Sequence, residues 1–262
     1  MKKLIYQVYT GKASRLYDWC TDSVEQYAKR IGADYIQLNV PVLKIKPDPF
    51  VTNRSKESYE KYGGFLPIYE KENAFKYFDR YDQIAIIDAD IYIRDTAPDI
   101  FNSIEPDAAF AGVYEREMPV TPQYSAKIRN YSRMQYGQFE QHFDFNHPHG
   151  APFMNMGMML MNKSFQPYLK GMGPKEWLTQ PAFKGFIDGL GAWKWSTDQT
   201  LLNCFVNSSR MKVTHLDYKW NGLYTAIPDD KIKDCHFVHF FLKDKLPDRG
   251  ENIEELKRIC QI

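Results

Sequence analysis

Ile84-Ala85-Ile86-Ile87-Asp88-Ala89-Asp90-Ile91-Tyr92-Ile93 decides the fold class of this chain. An unbroken run of β-branched and small apolar residues marks a strand covered on both faces, as in a parallel sheet between helical layers. Two carboxylates interrupt that run. In an extended segment alternate residues point the same way, so Asp88 and Asp90 are expected to face one spot, with Ala89 leaving room for a ligand. Two carboxylates at one spot repel. A divalent cation between them removes the repulsion, and hard oxygen ligands suit Mg²⁺ or Mn²⁺ in a shell completed by phosphates. The bland alternative is an acidic pair at a sheet edge that meets solvent or caps a helix. Position favours the ligand, because the pair stands at the carboxyl end of an expected parallel strand, where open α/β sheets bind theirs.

Working outward, Leu4, Ile5, Val8 and Tyr9 make a first strand that stops at Thr10-Gly11-Lys12. Leu16, Cys20, Val24, Ala28 and Ile31 then recur at helical spacing, and Gly32 stands where a helix C-terminal residue belongs. With a second strand at 35–40, this is a strand-helix-strand unit whose natural closure is a right-handed parallel crossover. The spacing predicts polar helical sequence at 55–61 and a helix at 67–78 with Pro67 in its first turn. Further strands are expected at 108–113, in the Met-rich run 153–161 and at 235–241, with a helix at 197–206. Residues 112–150, including the polar and aromatic stretch 121–149, read as loop. Trp193 and Trp195 mark a second loop. No repeat or linker interrupts residues 1–262, so a single α/β domain is expected, with a mixed, mostly parallel sheet flanked by helices.

Composition excludes several classes. A 262-residue chain that is 44% hydrophobic and 26% charged is an ordinary globular one. Its formal charge of +1 gives no global field to draw it to nucleic acid or an anionic membrane, so phosphate binding must be local. Cys20, Cys204, Cys235 and Cys260 form no C-x-x-C pair, which argues against a zinc site or a disulfide framework and fits a reducing, cytoplasmic setting. No apolar stretch approaches the roughly 20 residues that cross a bilayer. Peripheral membrane contact stays open.

Four islands resemble the nucleotide-sugar glycosyltransferases of the GT-A fold, most closely glycosyltransferase family eight, the glycogenin-like and bacterial galactosyltransferase-like group. Lys71 precedes the strand that ends in Asp88-Ala89-Asp90. Phe153-Met154-Asn155-Met156-Gly157 is similar to the family's segment beside the donor sugar. Asp198-Gln199 with Leu202-Asn203 is similar to a helix start near that sugar, one residue longer before Asn203. Phe237-Val238-His239-Phe240 with Lys243 resembles a late strand whose His completes the metal site and whose Lys meets the diphosphate. The family's Gly after that His and its Lys-Pro-Trp are missing here, which leaves His236 as a rival to His239.

The resemblance implies a metal-dependent transferase using Mn²⁺ or Mg²⁺ at Asp88, Asp90 and His239, with a nucleotide-sugar donor, UDP by family habit. Tyr9, Thr10, Lys71, Ala89, Asn155, Gly157 and Lys243 join the acidic pair as donor-binding residues, and Asp198 and Gln199 become the catalytic candidates. It also implies retention of configuration, a nucleotide-binding half over about residues 1–95 and a donor-sugar and acceptor half over 96–262. The acceptor would be a glycan, glycolipid or protein. Plainer readings stand beside these: Lys71 as a solvated helix residue, Asn155 and Gly157 as a bend or close approach in a buried strand, Asp198 as a helix N-terminal residue. Met154, Met156, Met158, Met159 and Met161 read as core. Two rival functions are a catalytically inactive carbohydrate-binding protein and a sugar-nucleotide nucleotidylyltransferase. The second expects a Gly-rich, Arg-bearing loop for which Thr10-Gly11-Lys12 is too sparse.

Overall fold

The computed structural model describes residues 1–48, 60–61, 63–137, 146–148, 150–191 and 198–262. The helical reading of 55–61 lies outside these apart from Glu60 and Lys61, and the readings of Trp193 and Trp195 lie wholly outside them.

Strand β1 (Lys3–Val8), helix α1 (Arg15–Ile31) and strand β2 (Asp34–Leu38) form the expected opening unit, with β1 and β2 parallel. The apolar face of α1 buries Leu16, Cys20, Val24 and Ala28, and Gly32 ends it in the left-handed region at φ 67°, donating back to the Ala28 and Lys29 carbonyls. A 3₁₀ helix, Pro67–Asp79, occupies the place of the expected helix and carries Pro67 in its first turn. β3 (Gln83–Asp88) then pairs parallel with β1.

Next come β4 (Ile91–Ile93), β5 (Phe110–Tyr114), α2 (Pro122–Tyr136), β6 (Met154–Asn162), α3 (Asp198–Ser208), β7 (Val213–His215), β8 (Gly222–Leu223), β9 (Phe237–His239) and α4 (Ile253–Cys260). The main sheet has the order β2-β1-β3-β6-β5-β7. Three of its pairings are parallel, and β6 runs antiparallel to both neighbours. Alternate residues feed two cores. Leu4, Tyr6, Ile84 and Ile86 join the cluster under the 3₁₀ helix, whereas Ile5, Ala85 and Ile87 join the one under α1. That two-sided burial explains the continuous apolar run. All five Met residues of β6 are buried, as a core reading requires. Among the described residues, no helix is long and apolar enough to cross a membrane.

Two sequence expectations need correction. Residues 84–93 do not form one strand: β3 ends at Asp88, Ala89 and Asp90 turn, and β4 leaves for a three-stranded sheet of order β4-β9-β8. The acidic pair therefore converges across a turn and not along an extended segment. The 112–150 region is not all loop either, since α2 starts on a Thr121 cap whose Oγ1 accepts from the Tyr124 amide, with Pro122 in its first turn.

Candidate active site

The register of β1 against β3 sets Val8 beside Asp88, so the loop that follows β1 lies along the acidic turn. Between them is a cavity of about 460 Å³ lined by Tyr9, Thr10, Gly11, Tyr17, Lys71 and the whole of Asp88-Ala89-Asp90, with Leu66, Pro67 and Ile68 as an apolar wall. Tyr9 is fixed at its rim, its hydroxyl accepting from the Ser14 amide at 3.0 Å and donating to Asp18 at 3.0 Å.

The small sheet delivers the third atom of a possible metal-ligand set. Ile91 on β4 pairs with His239 on β9, and the Phe240 amide donates to the Asp90 carbonyl at 2.9 Å. His239 Nε2 thereby comes within 3.3 Å of Asp90 Oδ1. One ligand atom from each of Asp88, Asp90 and His239 lies within 4.8 Å of the others, a donor set of two hard carboxylates and one imidazole that suits Mn²⁺ or Mg²⁺. His236 is held elsewhere, against Trp220 at 4.9 Å, so of these two histidines the structure brings only His239 to the pair. Burial pushes the Asp88 carboxyl up to about 6 against the pull of Lys71, with Asp90 repulsion adding to the rise. Burial works the same way on Asp90, but His239 outweighs it and holds Asp90 low. His239 is in turn raised, because Asp90 overcomes its burial.

Lys71 projects from the 3₁₀ helix into this centre and is almost wholly buried. Its Nζ stands 2.6 Å from Asp88 Oδ1 and 2.9 Å from Asp198 Oδ2, and donates to the Met156 carbonyl at 3.3 Å. Burial opposes its charge, yet Asp198 and Asp88 outweigh that and hold the ammonium protonated, well above the usual lysine range. The neighbouring positions are also buried acids. Glu70 accepts from the amides of Val42, Leu43 and Lys44, which fixes the loop after β2. Burial and the nearby Asp198 push the Glu72 carboxyl well above the ordinary carboxylate range.

A second network continues from the histidine. His239 Nδ1 lies 3.0 Å from Asn221 Oδ1, Asn221 Nδ2 donates to Asn155 Oδ1 at 2.8 Å, and Asn155 Nδ2 donates to Glu115 Oε1 at 3.0 Å. Gln199 Nε2 reaches the same Glu115 oxygen at 2.9 Å. Asp198 and Gln199, on the first turn of α3, thus face different partners: Lys71 for one, Glu115 for the other. Gly157 is explained by His239, because a Cβ there would collide with the imidazole ring. The close approach expected at this glycine is made by the protein's own histidine.

Solved structures share this arrangement of elements. A glycosyltransferase involved in the glycosylation of the major capsid of PBCV-1 superposes with a TM-score of 0.53 at 14% identity, covering 97% of this chain and 100% of its own. The galactosyltransferase LgtC, in complex with donor and acceptor sugar analogues, superposes with a TM-score of 0.53 at 11% identity over 99% of this chain and 95% of its own. The WbbM bifunctional glycosyltransferase superposes at 0.52 and 14% identity, with 92% of this chain matching 45% of that one. The chain has the GT-A fold. By sequence, no family model and no characterised protein matches it.

Within this GT-A domain one expected residue stands apart. Lys243 Nζ bonds Ser14 Oγ at 2.8 Å and Glu251 at 3.1 Å and lies over the Tyr17 ring, so it meets the cavity only through Tyr17. Two residues of the candidate site were not foreseen. Asn221 follows a lone Trp in a segment without periodicity, and only the fold brings it to His239. Glu115 carried a usable signal, since it follows β5 directly and repeats the pattern of an acid at a strand's carboxyl end that singled out Asp88.

Proposed function

We propose that this protein is a metal-dependent glycosyltransferase that moves a sugar from a nucleoside diphosphate, UDP by the family resemblance, to a hydroxyl of a glycan, glycolipid or protein. The observation that carries this is the meeting of the Asp88, Asp90 and His239 ligand atoms at the mouth of the cavity beside the β1 loop. Mn²⁺, favoured by the imidazole, or Mg²⁺ held there would neutralise the charge that gathers on the diphosphate as the sugar-phosphate bond breaks.

The remaining work falls to side chains. Tyr9, Thr10 and the Leu66-Pro67-Ile68 wall would receive the nucleoside, with Ala89 small enough to let it lie on the turn. Lys71 adds fixed positive charge in a dry setting, where it acts without reorganising. Asn155, Asp198 and Gln199 would orient the sugar, Asp198 from the Lys71 side and Gln199 from the Glu115 side. In the transfer, the acceptor oxygen bonds the anomeric carbon, the nucleoside diphosphate leaves with the electron pair of the broken bond, and the acceptor hydroxyl gives up its proton. Retention of configuration follows from the same resemblance.

Asp88→Asn and Asp90→Asn test the reading. Each is expected to abolish Mn²⁺-dependent binding of UDP in calorimetry while the melting transition stays cooperative. Nucleotide binding and turnover that are equal in EDTA and in Mn²⁺ overturn it.

A further inference from the structure

A second cavity, of about 230 Å³, includes Asn155 and Gln199 in its lining together with Phe241, whose ring lies 5.7 Å from that of His239, and its chemistry differs from that of the first. Among the described residues, four aromatic rings line it. Tyr131 and Phe153 meet edge to face at 5.6 Å, and Tyr124 and Phe241 do so at 6.0 Å. Glu115 supplies the buried charge. Its Oε1 is taken by Asn155 and Gln199 and its Oε2 accepts from the Tyr124 hydroxyl at 3.3 Å. A carboxylate offers about four lone-pair sites, so one remains for a ligand hydroxyl. At the rim, Leu242 holds φ 59° and ψ 60°. That conformation is costly outside glycine.

We propose that this cavity binds the terminal pyranose ring of a glycan acceptor, with its C–H face on the aromatic wall and a hydroxyl on Glu115. The proposal rests on the glycosyltransferase reading and narrows the acceptor to a saccharide. An alkyl chain of a lipid satisfies the rings but leaves the Glu115 lone pair unmatched in a dry place. An extended peptide needs more room than a cavity below the about 300 Å³ at which sites for drug-sized ligands begin. A pyranose offers both an apolar face and hydroxyls. Asn155 and Gln199 line this cavity and carry the donor-sugar assignment, so a ring seated here lies against the reacting sugar.

The test uses a printed array of mono- and oligosaccharides, probed with the full-length protein in UDP and Mn²⁺ and again without them. The wild type is expected to retain glycans that share one terminal pyranose. Tyr131→Ala is expected to lose about tenfold in affinity for them, and Tyr131→Phe, which keeps the ring, to hold them near the wild-type level. Calorimetry of UDP with Mn²⁺ is expected to be unchanged in both variants. Hydrogen exchange on the wild type adds a readout independent of variant folding, with the retained glycan expected to protect the amides of α2 and Phe153. A blank array, unchanged retention by Tyr131→Ala, or protection confined to other segments overturns the acceptor site. Loss of UDP binding by the wild type, with glycan retention intact, overturns the donor reading instead.

Discussion

Asn221 Oδ1 lies 3.0 Å from Nδ1 of His239. Because Asn221 Nδ2 also faces the Asn155 carbonyl, which can only accept, the carboxamide oxygen must be the end turned to the imidazole. His239 therefore holds a proton on Nδ1, so that a cation replacing the proton between Nε2 and Asp90 would meet the Nε2 lone pair of the tautomer that a metal ligand needs. Asn221→Ala is expected to leave all three ligands in place but to lower Mn²⁺ affinity by about 10- to 100-fold, as loss of such orienting partners does. Calorimetric titration of Mn²⁺ is the check. An unchanged dissociation constant would separate Asn221 from the metal site.

Gly157 makes the same point through shape. Its missing side chain is the space that the His239 ring fills, with Asn155 Oδ1 nearby. Gly157→Ala must displace the ring or the strand, at a cost of about 1–3 kcal/mol for overpacking a dense interior. Both the denaturation midpoint and Mn²⁺ affinity are expected to fall. A variant as stable as the wild type, with full affinity, would show that the ring moves aside freely.

What the sequence made legible was local. The apolar spacing of α1 and the start of β3 follow from contacts within a few residues of each other, and α1 appears within two residues of its expected limits, whereas β3 starts where expected but ends at Asp88, five residues short of Ile93. The list of Asp88, Asp90 and His239 came from spacing and resemblance, yet the reason they meet did not. It lies in the Ile91–His239 pairing of a second sheet, between positions far apart in the chain. α2 was missed because two of its buried positions are Ser132 and Gln135, so its inner face shows no apolar period, although the Thr121-Pro122 start signal was present. Asn221 and Glu115 gain their meaning only from side chains that the fold brings to them.

The protonation of the ligands gives a pH dependence. Burial and Asp90 lift Asp88 to about 6 despite Lys71, and Asp90 lifts His239 despite burial. Each must lose its proton to bind a cation, so a higher pKa lets protons compete at a higher pH than they would at isolated residues. Metal affinity is therefore expected in full above about pH 7 and to be lost as pH falls through about 6. The rise in melting temperature caused by Mn²⁺ measures this by linkage. Equal rises at about pH 8 and about pH 5 would contradict it.

Lys71 joins Asp88 to Asp198 through two ion pairs, at 2.6 Å and 2.9 Å, in a place where its own side chain is only 8% exposed. Lys71→Met keeps the length of the side chain and removes the charge, leaving Asp88 and Asp198 without their partner. Breaking a buried pair in this way costs about 3–5 kcal/mol, most of it the penalty on the carboxylate left behind. Mn²⁺ offers Asp88 a replacement charge but does nothing for Asp198, which lies outside the ligand set. Denaturation in Mn²⁺ should therefore recover part of the loss, and adding Asp198→Asn to Lys71→Met should recover more, because the second variant removes the stranded charge. A double-mutant cycle reads that coupling directly. If Lys71→Met costs less than about 1 kcal/mol, the range of exposed ion pairs, Lys71 does not act as the electrostatic link between the two carboxylates.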